Sequence, residues 1–277
     1  ITPTLDLERI LAAQGYDYRW FDEVGRGALA GPVMVGCAAI WARDLEPLDG
    51  DDAVELSGRT YLGVPDGVAD SKMLTEHRRE AIFDELRDWC AAYAVGQASN
   101  AEIDEWGITY ALGVAALRAL SQVERELGLR LGGESTIKKG FGESAGEIVE
   151  GRPGGSVGEI HWKLRGKRSA LPKVAGILDG PSDYITKALN TFDAPGRADS
   201  SRHNDQVKGD QHCATVATAA VIAKVTRDRL MVDLAQSNPR YAAYEWAHNK
   251  GYGSAAHRAA IAEHGPTPLH RVSWHLT

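Results

Sequence analysis

The sequence predicts an α/β fold. Short apolar stretches that are typical of strands alternate along the chain with segments of helical periodicity. Acidic residues stand at the ends of several predicted strands, which is where α/β sheets bind ligands. The 277 residues allow one large domain or two small ones, and neither an internal repeat nor a strong linker marks a boundary. We therefore expect one α/β unit.

Composition indicates a globular protein without a membrane span. Hydrophobic residues make up 43% and charged residues 25% of the chain, which is ordinary for a globular domain, and no apolar run approaches the ~20 residues that a membrane helix needs. The opening "ITPTLDLERILAAQGYDYRW" is mixed and does not resemble a secretory leader. Cys37, Cys90 and Cys213 lie far apart among small or apolar neighbours, which favours buried reduced thiols over a zinc site and predicts a cytoplasmic location.

The first half of the chain alternates predicted helices and strands. A short helix around "LERILAAQG" precedes two strands, "YRWFD" and "PVMVGCAAIW", which a Gly-rich turn joins. After an Asp- and Gly-rich loop at 44–69, "TEHRREAIFDELRDW" carries apolar residues at helical spacing, with Thr75 as its expected N-cap. The strand "AAYAVGQAS" and the long helix "TYALGVAALRALSQVERELG" follow.

The second half begins with a segment that interrupts this alternation. Residues 132–173 are Gly-rich, polar and without a sustained period, so we expect an inserted loop with a short hairpin around "EIHWKL". Its basic residues either lie on a solvated surface or track phosphates. The strand "VAGILDG" then ends at Asp179, and the short helix "PSDYITKALN" leads to the strand "NDQVKGD", which ends at Asp210. The long helix "CATVATAAVIAKVTRDRLMVDLAQ" precedes a segment of loop, helix and tail.

Four acids stand out by their position, namely Asp22, Glu23, Asp179 and Asp210. Three of them finish a predicted strand or begin the next loop, beside glycine in "DEVG", "LDG" and "KGD". Converging carboxylates repel one another unless a cation lies among them, and Mg²⁺ prefers carboxylate oxygens together with substrate phosphates. A single Asp-Gly pair is more simply a turn, but four acids in this context predict a divalent-metal site. The formal net charge of −7 by itself disfavours a polyanionic partner. It is misleading, however, if several of the acids surround bound metal ions.

Asp22 and Glu23 raise a geometric difficulty. Adjacent residues on a regular strand point to opposite faces, so the two carboxylates share a site only if the strand ends or twists there. Gly25 and Gly27 favour a break at this place. We therefore expect the first strand, "YRWFD", to end or twist close to these two acids.

Eight fragments carry a resemblance to a known family. They are "DEVGRGALAGPV", "ADSKMLTEHRRE", "EIDEWGI", "ILDG", "VKGDQ", "AAVIAKVTRDRLM", "NKGYGSAAH" and "GPTPLHRVSW". The fragments occur in the order in which type 2 ribonucleases H, the ribonuclease HII family, contain them. The sequence therefore resembles that family over residues 16–277, apart from the Gly-rich segment 132–173. Residues 1–15 are then an N-terminal helical extension. The resemblance implies a ribonuclease H-like fold, with a mixed central sheet flanked by helices and a helical C-terminal region.

The resemblance also implies an activity. Family members are endonucleases that cut the RNA strand of RNA–DNA hybrids and incise duplex DNA 5′ to an embedded ribonucleotide, in ribonucleotide removal and DNA replication or repair. The four metal-binding acids map onto Asp22, Glu23, Asp179 and Asp210, which would hold two divalent ions, Mg²⁺ or Mn²⁺. Two-metal hydrolysis would leave a 5′-phosphate and a 3′-hydroxyl. We expect a monomer whose partner is nucleic acid and not a membrane.

Three groups of substrate contacts follow from the same resemblance. A Gly-Arg-Gly junction reader would let main-chain groups contact a 2′-hydroxyl, the group that separates RNA from DNA. A tyrosine would pack at the junction sugar, and an Asp-Ser-Lys segment would contact phosphate through its lysine. The residues are Gly25, Arg26 and Gly27 for the reader, Tyr252 for the sugar, and Asp70, Ser71 and Lys72 for the phosphate.

Two other assignments stay open at this stage. A type 3 ribonuclease H would carry similar acids, but that family typically has an N-terminal substrate-binding domain, and few residues precede Asp22 here. A catalytically inactive hybrid-binding protein would not need all four acids. On the long helix, Lys224 and Arg227 either contact phosphate or pair with Asp228, and the histidines form no ligand pattern and are expected to have scattered polar roles.

Overall fold

The computed structural model describes residues 2–13, 17–47, 60–128, 174–179, 184–188, 202–206 and 212–277. Its helices are α1 (Asp6–Ala13), α2 (Glu76–Trp89), α3 (Asn100–Trp106), α4 (Ile108–Glu126), α5 (Tyr184–Ala188), α6 (Ala214–Ser237), α7 (Trp246–Asn249) and α8 (Ala255–His264). Its strands are β1 (Asp17–Val24), β2 (Val33–Ile40), β3 (Ala92–Ala98), β4 (Val174–Asp179) and β5 (Arg202–Gln206). No helix in this part of the chain combines the length and apolarity that crossing a membrane requires.

The described strands form one five-stranded mixed sheet in the order β3-β2-β1-β4-β5. β2 pairs antiparallel with both β1 and β3, whereas β4 pairs in parallel with both β1 and β5. β1 is thus the central strand, and the mixed sheet expected from the family resemblance is confirmed. The parallel pairing of β1 with β4 reaches Phe21 and Leu178, so Asp22 and Asp179 follow at one edge of the sheet.

Helices cover both faces of this sheet. α4 and α5 share one core cluster with residues of β1, β2 and β3, while α2 and α6 pack together on the opposite face. Two glycines permit the close approach of the long helices. A Cβ on Gly36 would lie 2.4 Å from the carbonyl oxygen of Ala219 in α6, and a Cβ on Gly96 would lie 2.0 Å from that of Ala115 in α4.

The N-terminal helix α1 packs against the beginning of α6. Thr4 forms a parallel β-bridge with Cys213. Glu8 is fully buried, and its Oε1 accepts hydrogen bonds from the main-chain N–H and the hydroxyl of Thr215 at 3.2 and 2.8 Å. Because Cys213, the N-cap residue of α6, provides no side-chain acceptor, Glu8 supplies one from a distant part of the sequence.

Most predicted elements are found close to their expected bounds. Thr75 caps α2 as expected, since its side chain accepts a hydrogen bond from the N–H of Arg78 at 3.3 Å. Helix α3 was not predicted, although its start carries the signal of a capping box. The N–H of Glu102 donates to Ser99 Oγ at 3.2 Å, and that of Ser99 donates to the Glu102 carboxylate at 2.7 Å.

Two strand predictions differ from the structure. β1 continues beyond Asp22 to Val24, because its antiparallel pairing with β2 is maintained to that residue. β5 begins at Arg202 rather than at residue 204, and its described part ends at Gln206. The segment 207–210 with Asp210, and the Gly-rich segment 132–173 with its expected hairpin, lie outside the described residues.

Candidate active site

Three of the four predicted metal-binding acids belong to adjacent strands. Asp22 and Glu23 are neighbours near the end of β1, and Asp22 is only 5% exposed. Asp179 is the last residue of β4. Adjacent strands lie about 4.8 Å apart, so the backbones of Asp22 and Asp179 are close at this edge. Asp210 lies outside the described residues.

β1 does not end at Asp22 but continues to Val24, and the chain turns at Gly25, whose φ is +83°. Asp22 lies opposite Gly36 in the β1–β2 ladder, and residues paired in this way share a face. The Cβ position of Gly36 points to α6, so Asp22 lies on the α6 side. Glu23 lies on the other side, where the Tyr184 hydroxyl of α5 donates to its Oε2 at 3.4 Å. The two acids therefore approach the sheet edge from opposite faces.

Glu23 also contacts Arg26, the arginine of the Gly-Arg-Gly sequence. Nη1 of Arg26 lies 3.7 Å from Glu23 Oε1. The Arg26 side chain is 51% exposed and that of Glu23 is 19% exposed. The guanidinium thus lies beside the Glu23 carboxylate while about half of the Arg26 side chain is open to solvent, where a guanidinium is able to bind a phosphate.

Residues 25–31, here called the junction loop, are enclosed by two segments of the C-terminal region. Ala28 forms an antiparallel bridge with Tyr252, and Ala30 forms another with His270. The N–H of Gly25 donates to Tyr252 Oη at 3.1 Å. The predicted Gly-Arg-Gly reader and the predicted sugar-packing tyrosine are therefore in direct contact.

The two glycines of the reader have different surroundings. A Cβ on Gly25 would lie 2.1 Å from Nε of Arg227, and the positive φ of this residue is itself strained for other residue types. Gly27 is exposed, and no atom lies within 4 Å of its Cβ position. The fold itself thus requires glycine at position 25, whereas position 27 presents an open face of main chain.

Arg227 is a buried structural residue of α6. Among the described residues its guanidinium donates only to main-chain carbonyl oxygens, those of Pro32 and Lys250 at 2.9 Å and of Ala30 at 3.1 Å. Burial lowers its pKa. Arg227 therefore neither reaches phosphate nor forms an ion pair with Asp228. Lys224 does form that pair, with Nζ 2.6 Å from an Asp228 oxygen.

Arg271, in the segment after α8, holds the junction loop from beneath. Its guanidinium is fully buried and donates to the carbonyl oxygens of Gly25, Arg26 and Gly31. Burial and the neighbouring charge of Arg227 lower the pKa of Arg271 to about 9. The binding of main-chain carbonyls by Arg227 and Arg271 was not predicted, because a buried arginine with such partners leaves no pattern of spacing in the sequence.

The predicted phosphate-contact segment forms a tight turn before α2. The N–H of Lys72 donates to Asp70 Oδ1 at 2.9 Å, and Arg79 donates to the carbonyl oxygen of Ser71 at 2.9 Å. Asp70 and Ser71 are each only 6% exposed, whereas Lys72 is exposed. Arg79 also lies 3.6 Å from an Asp228 oxygen, which ties this turn to α6 beside Tyr252.

Two histidines are not scattered as expected. His257 and His270 are buried against each other, with their Nε2 atoms 3.0 Å apart, and Trp246 Nε1 donates to His257 Nε2 at the same distance. His257 Nδ1 lies 2.8 Å from the carbonyl oxygen of Tyr252. This network supports the back of the Tyr252 segment and presents no open ligand position.

The acids at the sheet edge fit a hard divalent cation. Carboxylate oxygens are the ligands that Mg²⁺ and Mn²⁺ prefer, and the residues Asp22, Glu23 and Asp179 lie at one edge of the sheet. The described side chains contain no group of three or more His, Cys, Asp or Glu that could hold a metal. They include the side chains of Asp22 and Glu23 but not those of Asp179 and Asp210.

Comparisons with known proteins identify the family. A sequence model described as Ribonuclease HII matches residues 21–127 and 188–277, stretches that contain Asp22, Glu23 and Asp210. Ribonuclease HII of Streptomyces avermitilis is 37% identical over 253 residues, which are 91% of this chain and 74% of that relative.

Solved structures share the fold. The ribonuclease H2 of Pyrococcus horikoshii OT3 is similar with a TM-score of 0.51 at 22% identity, over 94% of both chains. A structure of Bst-RNase HIII in complex with Mn²⁺ is similar with a TM-score of 0.57 at 17% identity, over 97% of this chain and 71% of that one. The likeness to a type 3 enzyme is one of fold alone, whereas the match in sequence is to type 2. The chain therefore belongs to the ribonuclease HII family and is a ribonuclease H, a hydrolase that acts on phosphodiester bonds.

Proposed function

We propose that this chain, an endoribonuclease that acts on RNA–DNA hybrids, also incises duplex DNA on the 5′ side of a single embedded ribonucleotide. The observation that supports this best is the 3.1 Å hydrogen bond from the N–H of Gly25 to Tyr252 Oη. It joins the junction loop, which begins two residues after Glu23, to an aromatic ring that would pack on the next sugar. A ribonucleotide on one side and a deoxynucleotide on the other would fit such a pair of neighbouring contacts.

The acids of the sheet edge would bind the metal ions. Asp22, Glu23, Asp179 and Asp210 would hold two divalent cations, Mg²⁺ or Mn²⁺. When bound, such ions activate the attacking water and stabilise the leaving 3′-oxygen, so that the products carry a 5′-phosphate and a 3′-hydroxyl. Arg26, half-exposed beside Glu23, would contact the phosphate and hold the strand against the acids.

The main chain of the junction loop would recognise the 2′-hydroxyl. The N–H of Gly25 is already engaged by Tyr252, whereas those of Arg26 and Gly27 have no hydrogen-bond partner among the described residues. These amides would donate to the 2′-hydroxyl. A deoxynucleotide would leave them unpaired in a closed complex, and sites that hydrogen-bond a hydroxyl discriminate strongly against analogues that lack it.

Tyr252 and Lys72 would position the strand on either side of the reader. The Tyr252 ring has Lys224 Nζ 5.8 Å and the Arg227 guanidinium 5.4 Å from its centre, so its hydroxyl and its ring are both held. An additional 2′-hydroxyl would interfere with a sugar packed there. Lys72 is exposed at the end of a turn in which Asp70 and Ser71 are buried. Its ammonium group would contact a phosphate, and the buried turn would hold it in place.

The remaining expectations concern the setting of this activity. We propose that the protein is a cytoplasmic monomer whose partner is nucleic acid and not a membrane. Its activity would serve ribonucleotide removal during DNA replication and repair. We also propose that residues 16–277 are the catalytic domain, with 132–173 as an inserted loop and 1–15 as an N-terminal extension.

A nicking assay tests the proposed function. A DNA duplex with one ribonucleotide is incubated with the protein and Mg²⁺ or Mn²⁺, with and without chelator. We expect a chelator-sensitive nick 5′ to the ribonucleotide and an intact all-DNA control. Asp22→Asn should lower the rate more than about a hundredfold, because loss of a mere outer-shell partner of a metal ligand already costs 10–100-fold.

Asp84→Asn is the matched control for that variant, since it makes the same chemical change on a side chain that is 87% exposed in α2. Its rate should stay within about twofold of the unmodified protein. A nick in the all-DNA duplex would contradict the specificity, and a nick that resists chelation would contradict the metal mechanism.

A further inference from the structure

We propose that Arg271 is a positioning residue that turns the main-chain amides of Arg26 and Gly27 toward the nucleic acid. This inference rests on the proposed function, because it explains how the junction loop becomes a hydrogen-bond donor to a 2′-hydroxyl. Arg271 itself is fully buried and would not touch the substrate.

The contacts of Arg271 define which way the loop carbonyls point. Its Nη2 donates to the carbonyl oxygen of Gly25 at 2.7 Å, and its Nη1 donates to that of Arg26 at 2.9 Å. Nη2 and Nε also donate to the carbonyl oxygen of Gly31, at 3.1 and 3.2 Å. One planar guanidinium thus draws two consecutive carbonyls at the start of the junction loop, and a third at its end, toward the protein interior.

The planar peptide bond converts this into an orientation for the amides. In a trans peptide the C=O of one residue and the N–H of the next point in opposite directions, and the described chain has no cis peptide bond. Binding the Gly25 carbonyl to Arg271 therefore directs the Arg26 N–H away from the guanidinium. Binding the Arg26 carbonyl directs the Gly27 N–H away in the same manner.

These two amides are also the ones without a hydrogen-bond partner among the described residues. Gly27 is exposed with open space at its Cβ position. Consecutive N–H groups that face outward form a concave donor site for an anionic or electron-rich oxygen. The loop therefore presents donors outward and acceptors inward, which is the polarity that a 2′-hydroxyl or a phosphate oxygen needs.

Arg271 is itself firmly held. Its own N–H donates to the Leu29 carbonyl oxygen at 2.9 Å, and its guanidinium lies 4.9 Å from the centre of the Trp274 ring. The next two residues donate their N–H groups to the Asp104 carboxylate at 2.9 and 3.0 Å. Neither Arg271 nor Arg227 forms an ion pair among the described residues, and a pKa of about 9 leaves Arg271 charged at neutral pH. Its charge, which no ion pair among the described residues neutralises, adds to the attraction of the loop for a phosphate-bearing strand.

Arg271→Lys tests the proposal because it keeps the charge and removes the planar fork. An ammonium group donates from a single point and does not reproduce the fixed geometry of a guanidinium. We expect KM for the duplex with one ribonucleotide to rise about tenfold, as loss of one to two hydrogen bonds implies. The inhibition constant of an all-DNA duplex, used as a competitor in the same assay, should change less than about twofold.

Leu117→Ala is the control for a purely structural effect, since Leu117 is buried in α4 on the opposite face of the sheet. A loss of stability reduces the active fraction, which lowers the apparent kcat and leaves KM and the inhibition constant unchanged. If Arg271→Lys behaves like Leu117→Ala, the positioning role is wrong. If the unmodified protein binds ribonucleotide and all-DNA duplexes equally, the proposed function fails instead, before Arg271 is in question.

A second measurement does not depend on the variant being folded. Hydrogen exchange of the Arg26 and Gly27 amides is followed by NMR in the unmodified protein with and without duplex. We expect both amides to be slowed by the ribonucleotide-containing duplex and much less by the all-DNA duplex, while the Gly25 amide, held by Tyr252, exchanges slowly throughout. Slowing by neither duplex would overturn the proposed orientation, whereas equal slowing by both would contradict recognition of the 2′-hydroxyl and therefore the proposed function.

Discussion

The hydrogen-bond partners of the buried His257–His270 pair determine which ring nitrogens carry a proton. His257 Nδ1 faces the carbonyl oxygen of Tyr252, so it must donate, and its Nε2 then accepts from Trp246 and from His270. His270 Nδ1 in turn accepts from the N–H of Thr267 at 2.8 Å. Each ring nitrogen is therefore paired while both rings are neutral. A proton added to His257 Nε2 would face two donors.

Acidification should accordingly destabilise the protein. Burial lowers the pKa of both histidines, that of His270 to about 4, whereas an unfolded histidine titrates near 6.5. Between these values the unfolded chain binds a proton that the folded protein does not, so the free energy of unfolding falls as pH decreases from about 6.5 to about 4. The whole change for His270 is about 3 kcal/mol.

Urea unfolding at pH 7, 6 and 5 measures this slope. His270→Asn should have a smaller slope than the unmodified protein. His275→Asn, at an exposed position, should retain the full slope. Equal slopes in all three proteins would show that the buried pair does not govern the acid response.

At the scale of elements, the packing of α4 on β3 depends on the absence of a side chain at Gly96. A Cβ there would meet the main chain of α4, 2.0 Å from the Ala115 carbonyl oxygen and 2.6 Å from the Ala119 nitrogen. Backbone atoms of a packed helix have no rotamer by which to move aside. The helix must therefore shift relative to the sheet if any other residue replaces this glycine.

Gly96→Ala should lower the free energy of unfolding by about 2–3 kcal/mol, the usual cost of forcing extra volume into a packed interior. Thermal and urea unfolding measure the change. Gly63→Ala is the matched control, because no atom lies within 4 Å of its Cβ position, and its effect should stay within about 0.5 kcal/mol. A Gly96→Ala variant as stable as Gly63→Ala would mean that α4 adapts freely.

At the scale of the whole molecule, the N-terminal helix α1 caps and packs against the start of α6, which lies about 200 residues later in the chain. Glu8 accepts two hydrogen bonds from Thr215 at the start of α6, and Leu5 and Leu11 share a core cluster with Cys213 and neighbouring residues. The second carboxylate oxygen of Glu8 has no hydrogen-bond partner among the described residues. Burial, which outweighs the bonds from Thr215, raises the pKa of Glu8 to about 7.

Glu8→Gln should therefore change stability in a pH-dependent way. Between about pH 4.5 and 7 the folded protein keeps a proton on Glu8 that the unfolded chain releases, so the stability from this group is lost as pH rises. The variant, which carries no charge, should gain about 3 kcal/mol relative to the unmodified protein between pH 4 and 8. Glu263→Gln, with a side chain 76% exposed, should show no such gain. Parallel stability curves for Glu8→Gln and the unmodified protein would contradict the buried-acid assignment.

The sequence by itself determined the features that arise from neighbouring residues. Helical periodicity and caps predicted α2, α4 and α6, and even the missed helix α3 had its signal in Ser99 and Glu102. Position after a strand also singled out Asp22 and Asp179, because a strand end depends on a short stretch of chain. Eight short motifs predicted the family for the same reason.

Only the tertiary structure decided the features that depend on partners far apart in the chain. β1 continues past Asp22 because β2 pairs with it as far as Val24. Arg227 and Arg271 hold the junction loop through carbonyl oxygens that belong to no motif, and Arg271 lies about 240 residues from the carbonyls that it binds. A main-chain carbonyl is the same chemical group at every position. No pattern of side chains therefore reveals which carbonyls a buried guanidinium will bind.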